Sequence, residues 1–491
     1  MGEIKQKKKL IKSSIDLNSV LQWANALFML LTWYSFYQNG LNEYINFTTI
    51  CLGSLLSIEI FIFLLIEKKR RDPFVIILCL QMVFYYVLRI LTLSIYHFSV
   101  VFLRYPFNAS NLNYAIIFIL VANLAIFLGF YLNKIKIDSF PISIKKIPYK
   151  PIAVALLLMF AFFMTFPSLV GLSSLSNIIG LLNSIFISTI TIMFMVIVYV
   201  MLFSNKLNRP IRLCLIVGLV GYVFLATLTG SRSGVVTISY LLIFSYLSIF
   251  GAIKLKKVHL IFFTLLIPLL ILFFTLATYL RPRMENRGVI SSETINTIKE
   301  FDLQETFHDN NKLILAPIFD RIGFLDYGAE IISNNDKYSS VFNLSYYGKS
   351  IIDNILTPGF DIFNIPLAAN ALTFIYNDLG SPQKSKEIDS YQSDEFTVYG
   401  EAYVLFGKWF SIIPIFLISF AFKRLYVKIR DKNEFRFYVK RAFILYTFYI
   451  LLNSYGLDWI LFGTVGIVFT YIVFKYFFMF RRDIRKFETL Q

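Results

Sequence analysis

An all-α, polytopic membrane protein with about twelve transmembrane helices is the architecture that three observations call for. Hydrophobic residues fill 57% of the 491 positions and charged residues only 16%, a balance too apolar for a soluble globular domain. Apolar stretches of about 20 residues, long enough to cross a bilayer as a helix, recur along the chain. Between them Lys and Arg cluster in every second gap, as in loops retained on the cytoplasmic side.

The elements follow in order. Lys5, Lys7, Lys8, Lys9 and Lys12 precede a first span at 20–38, and no small-residue cleavage site follows, so this span is expected to remain as an anchor with its N-terminus inside. Further spans are expected at 46–66, 74–95, 113–133, 152–170, 181–203, 211–229, 234–252, 258–280, 402–422, 437–455 and 459–479. Basic gaps fall at 68–71, 134–150, 206–212, 254–257 and 423–441, and the tail adds Arg481, Arg482, Arg485 and Lys486. The intervening gaps at 39–45, 95–112, 171–180, 229–233 and 456–458 carry only Arg104 and Arg232. This alternation places both termini in the cytoplasm. No internal repeat and no inverted pseudo-symmetry stands out.

The net charge of +17 sits in short loops beside apolar spans, where it sets topology and meets anionic lipid headgroups. Nucleic acid is therefore not an expected partner; membrane lipids are. Cys51, Cys79 and Cys214 all lie inside apolar stretches, so neither a disulfide nor a metal-binding CxxC is expected.

One segment breaks the economy of short loops. Residues 281–408 hold 11 Lys/Arg and 18 of the 30 Asp/Glu, with apolar spacing for short amphipathic helices around 316–333. Loops of this length usually do something. The chain thus divides into spans one to nine (1–280), a large extracytoplasmic helical subdomain (281–401) read as a lid over a membrane-embedded cavity, and spans ten to twelve with a basic tail (402–491).

Candidate functional residues gather on the outer side. The turn Thr229-Gly230-Ser231-Arg232-Ser233-Gly234 offers small residues, open backbone N–H groups and a guanidinium, which suits an anion; the alternative is a tight turn whose Arg232 reaches headgroups. Arg281, Arg283 and Arg287 follow the ninth span and can hold a diphosphate through paired N–H bonds, or neutralise a helix C-terminus. Arg89, in the outer half of the third span, either faces a polar cavity or takes a structural partner such as Glu59. Asp320, Arg321, Asp326 and Glu330 form either an ion-paired helix or a set of substrate contacts. Asp394, Glu395 and Glu401 approach the tenth span beside Tyr403, where a partly buried carboxylate can act as a base. His97 and His308 do not make a zinc site, and no GxSxG elbow, P-loop or cytoplasmic DxD pair occurs. No metal and no cofactor are expected.

With the outer turn at 229–234, the late large outer loop, and Gly400-Glu401-Ala402-Tyr403 followed by Phe406-Gly407, the chain resembles the O-antigen or oligosaccharide repeat-unit polymerases, the Wzy family. The resemblance covers nearly the whole length. It implies an inverting, metal-independent membrane glycosyltransferase in the bacterial cytoplasmic (inner) membrane, acting in O-antigen, capsule or exopolysaccharide synthesis. Its substrates would be undecaprenyl-diphosphate-linked oligosaccharides, with a chain-length regulator as a further partner. The family's outer arginines would map onto Arg232, Arg283, Arg321 and Arg281, with Glu401 as base and Asp394 or Glu395 as substitutes. Tyr391, Tyr399 and Tyr403 would stack on sugar faces. The alternatives are a ligase-type glycan transferase, which shares the chemistry, and a polysaccharide flippase or transporter.

Overall fold

The computed structural model describes residues 14–42, 44–70, 72–96, 108–133, 254–256, 292–301, 323–356, 362–376, 397–428 and 435–453, with short stretches between 224 and 280. Two three-residue strands, β1 (Ser14–Asp16) and β2 (Lys254–Lys256), pair antiparallel with Ile15 opposite Leu255. All other regular elements described are helical. The strand pair joins the chain ahead of the first helix to a gap that the charge pattern assigns to the same side.

Helix α1 (Leu17–Asn39) shows which solvent surrounds it. Asn18, Leu21, Asn25, Met29, Thr32 and Ser35 recur every three or four residues on its buried face. Trp23 is 77% exposed and Leu30 68%, whereas Asn25 is 2% exposed. Polar inward and apolar outward is the arrangement for lipid, where a polar group must find its partner inside the protein.

Next come α2 (Phe47–Arg70), α3 (Pro73–Gln81), a π-helical turn (Met82–Val87), α4 (Leu88–Tyr96) and α5 (Ala109–Leu132). Asp72 caps α3 by accepting from the Phe74 N–H at 3.1 Å, and Pro73 occupies the first turn, where no amide donor is needed. Later in the chain lie α6 (Ser292–Lys299), α7 (Phe324–Ser333), α8 (Asn335–Ser339), α9 (Leu344–Ile351), a second π-helical turn (Ile352–Leu356), α10 (Ala368–Tyr376), α11 (Thr397–Phe406), α12 (Ile412–Lys428) and α13 (Phe435–Asn453).

Among the described residues, four stretches are long and apolar enough to cross a membrane: Phe47–Glu67, Pro73–Ile95, Ala109–Leu132 and Lys408–Lys428. The chain is thus a helical membrane protein. The spans expected at 152–170, 181–203 and 459–479 lie outside the described residues, and those at 211–229, 234–252 and 258–280 are described only at scattered positions.

Polar contacts tie helix ends together in register. Ser35 Oγ donates to the Ser94 carbonyl at 3.0 Å, and Thr49 Oγ1 to Asn113 Oδ1 at 2.8 Å, joining the end of α1 to that of α4 and the start of α2 to that of α5. At the opposite ends, Asn133 Nδ2 donates to the Phe420 carbonyl at 3.1 Å, and buried Lys423 pairs with Asp72. A Cβ on Gly129 would lie 3.0 Å from the Phe416 carbonyl oxygen and 3.1 Å from Ser419 Cβ, so α5 and α12 touch almost backbone to backbone.

The tenth span departs from expectation. Instead of one helix from 402 to 422, the chain forms α11, reverses at Gly407, and continues through a 3₁₀ turn (Lys408–Ser411) into α12. Gly407 has φ 72° and ψ 137°, a conformation open to glycine and costly for other residues, and Lys408 follows at φ 25°. Tyr399 in α11 bonds Asn123, fourteen residues into α5, or about 21 Å from its start at 1.5 Å per residue. Tyr403 meets Phe118 with ring centroids 5.0 Å apart, and Trp409 meets the same ring at 6.2 Å. Helix α11 therefore begins deep in the bundle and climbs, and α12 descends along α5 toward Asn133. The helix also runs across position 401, where the sequence suggested a boundary between loop and span.

Helix α7 enters the bundle as well. Phe324 packs edge-on against Tyr85 at 4.5 Å, ten residues before Ile95 and so about 15 Å below that end. It packs on α5, α11 and the first π-helical turn. This part of the long hydrophilic segment sits in the bundle, not over it.

Candidate functional site

The sequence candidates that are described converge where α7 and α11 meet α4 and α5. Arg89, at the start of α4, is 3% exposed. Its Nε lies 3.1 Å from each Asp326 carboxylate oxygen, and Nη2 also bonds Oδ2. The partner is thus not Glu59 but an acid from α7, and Arg89 is engaged in a buried, forked pair. Thr92 Oγ1 approaches Nη1 at 3.5 Å and donates to the Arg89 carbonyl at 2.9 Å.

One turn along α7, Glu330 is buried and accepts from Asn334 Nδ2 at 2.8 Å and Tyr338 OH at 3.2 Å. Burial pushes its carboxyl above the ordinary glutamate range, while those two bonds and the Lys337 charge pull it back in part. Asp326 and Glu330 thus sit inside a folded contact and not on a solvated face.

Glu401 and Tyr403 share α11, where Glu401 is 2% exposed and Tyr403 is buried against Phe118. Sequence reading set Glu401 at the membrane surface; its helix instead packs between α7 and α13 and also touches α8 and α12. The site therefore offers a buried carboxylate beside a second, paired acid helix, on a segment that reverses at a glycine. Tyr399, expected to stack on a sugar, is 2% exposed and donates to Asn123 Oδ1 at 2.7 Å.

Arg232, Arg281, Arg283, Arg287, Arg321, Asp394 and Glu395 lie outside the described residues. No group of three His, Cys, Asp or Glu side chains suited to a metal occurs among the described residues.

Sequence reasoning missed a polar group within the spans. Gln81 Nε2 donates to the Leu452 carbonyl at 3.2 Å and approaches Tyr86 OH at 3.3 Å; the Tyr86 ring packs edge-on against Tyr399 at 6.1 Å, and Tyr399 reaches Asn123. The signal was available: each is a polar side chain in an apolar run, which in lipid demands a partner.

Comparison with protein-family models, with curated proteins and with solved structures finds no match to this chain.

Proposed function

We propose that this protein joins undecaprenyl-diphosphate-linked oligosaccharide repeat units at the outer leaflet of the bacterial cytoplasmic membrane. The observation that carries the reading is the buried carboxylate of Glu401 on a helix that turns back within the bundle. The resemblance motif Gly400-Glu401-Ala402-Tyr403 with Phe406-Gly407 coincides with that helix and its reversal. The acceptor hydroxyl oxygen attacks the anomeric carbon, the bond to the diphosphate oxygen breaks with its electron pair, and the proton passes to Glu401. Arg232 and Arg283 hold the departing diphosphate, with Arg281, Arg287 and Arg321 as further contacts, so that no general acid is needed. Arg89, paired with Asp326, supports the acid helix.

Membranes containing the protein, supplied with purified lipid-linked repeat unit, should yield a ladder of longer glycans, and Glu401→Gln should abolish it. Recovery of the starting compound alone overturns the reading. A flippase or transporter gains support from α11, because discontinuous helices beginning near mid-depth are common in transporters. Substituting Glu401 then leaves labelled repeat units on the inner leaflet, whereas loss of a polymerase leaves them on the outer one.

A further inference from the structure

Asn123 Nδ2, Gln81 Oε1 and Glu59 Oε2, all buried within the spans, have no hydrogen-bond partner among the described residues. Asn123 and Gln81 are fully buried. Their positions correspond in depth. Asn123 lies nine residues before Leu132, Gln81 eight after Pro73 and Glu59 eight before Glu67, each about 12–14 Å from the same end of the bundle. Three of the elements concerned are in contact, since Gln81 touches Tyr86, Tyr86 packs edge-on against Tyr399 with ring centroids 6.1 Å apart, and Tyr399 bonds Asn123, while Glu59 stands at the same depth on α2.

The start of α11 belongs to the same place. Long helical side chains lean toward their own N-terminus, so the Tyr399 hydroxyl and the Asn123 amide it meets lie at that end. The first amides of a helix have no partner within it. In hydrocarbon an unsatisfied polar group costs several kcal/mol, and broken helices persist only where protein or water completes them.

We propose that Asn123, Gln81 and Glu59 line a hydrated site at mid-depth in the bundle, beside the start of α11, that binds a hydroxyl group. One amide donor and two oxygen acceptors suit a hydroxyl, which both accepts and donates. A carboxyl group in the lining disfavours an anion. The hydroxyl comes from water or from a sugar; only the sugar source rests on the repeat-unit reading above.

The test is thiol access. In full-length protein with Cys51, Cys79 and Cys214 replaced by Ser, Asn123→Cys is treated in sealed membranes with a membrane-impermeant cationic methanethiosulfonate. Leu124→Cys, on the exposed apolar face of the same helix, is the reference. Because the thiolate is the reacting species and ionises only in contact with water, Asn123→Cys should react about tenfold faster than Leu124→Cys. Gln81→Cys repeats the measurement at an independent position should Asn123→Cys fail to fold. Equal rates in the folded variants overturn the site. Slowing by purified undecaprenyl-diphosphate-linked repeat unit identifies a sugar hydroxyl, and unchanged fast labelling identifies water; both results support the site. The glycan ladder reads the polymerase assignment separately.

Discussion

Arg89 and Asp326 lie 237 positions apart and meet inside the protein, each 3% exposed in its side chain, with the guanidinium forked across the carboxylate. The pair fastens a helix of the long hydrophilic segment to the third apolar span. Removing one partner strands the other charge in a dry site, which costs about 3–5 kcal/mol. Arg89→Ala should therefore lower the unfolding midpoint in detergent sharply, and Arg89→Met with Asp326→Leu should recover most of it. A loss under about 1 kcal/mol for the single variant, typical of exposed pairs, would contradict the burial of this pair.

Gly129 offers a steric test. With backbone atoms of α12 at 3.0 Å from its missing Cβ, even Ala forces α5 and α12 apart. We expect Gly129→Ala to destabilise by about 1–3 kcal/mol, the range for an overpacked core, and Gly129→Leu by more. Thermal unfolding of the purified protein measures both. Gly53 is a useful comparison, because there the close atom is the tip of the flexible Ile90 side chain, 3.1 Å away, and Gly53→Ala should be milder.

At Gly407 the strain lies in the backbone alone. A Cβ added there would meet no atom within 4 Å, yet φ is +72°. Gly407→Ala should accordingly cost about 1–3 kcal/mol through conformation without any clash. Glycan ladder length and unfolding midpoint, measured on the same preparation, show whether the reversal between α11 and α12 also sets activity. An unchanged midpoint would mean that the chain turns there by another route.

Glu330 predicts a pH dependence. Burial raises its carboxyl above the unfolded value of about 4.3, so between the two midpoints the folded chain holds a proton that the unfolded chain has lost. Stability from this group is complete below the unfolded midpoint and declines as pH rises through the folded one. Glu330→Gln, which stays neutral, should flatten that decline. Parallel slopes for both proteins from about pH 4 upward would show that Glu330 does not produce it.

The helices of the first four expected spans could be read with small errors at their ends, because hydropathy over a membrane-length window is a local property. Expectation set the second span at 46–66 and α2 spans Phe47–Arg70; for the fourth, 113–133 compares with Ala109–Leu132. The tenth, expected at 402–422, is found at Lys408–Lys428, and its start was misplaced for a physical reason. Apolar residues on both sides of Gly407 read as one continuous stretch, and hydropathy does not register a φ of +72°.

Among site residues, Glu401 and Arg89 were visible as charges beside or within apolar runs. Their surroundings were not. Arg89 needed a buried partner, and Glu59 was the nearest acid along the spans, but Asp326 arrived from a helix whose insertion no periodicity announced. Asn123 and Gln81 escaped notice because a single amide in a long apolar run hardly alters its average.

Composition and the alternation of basic gaps decide that this chain is helical and resides in a membrane, since hydrophobicity and charge act segment by segment. Tertiary structure decides that α11 turns back beside α5, that α7 brings Asp326 to Arg89, and that polar atoms of three spans, unpartnered among the described residues, lie at one depth. A helical repeat of 3.6 residues assigns a side chain to a face but leaves its partner open. Only packing, which sums contacts from distant parts of the chain, selects one.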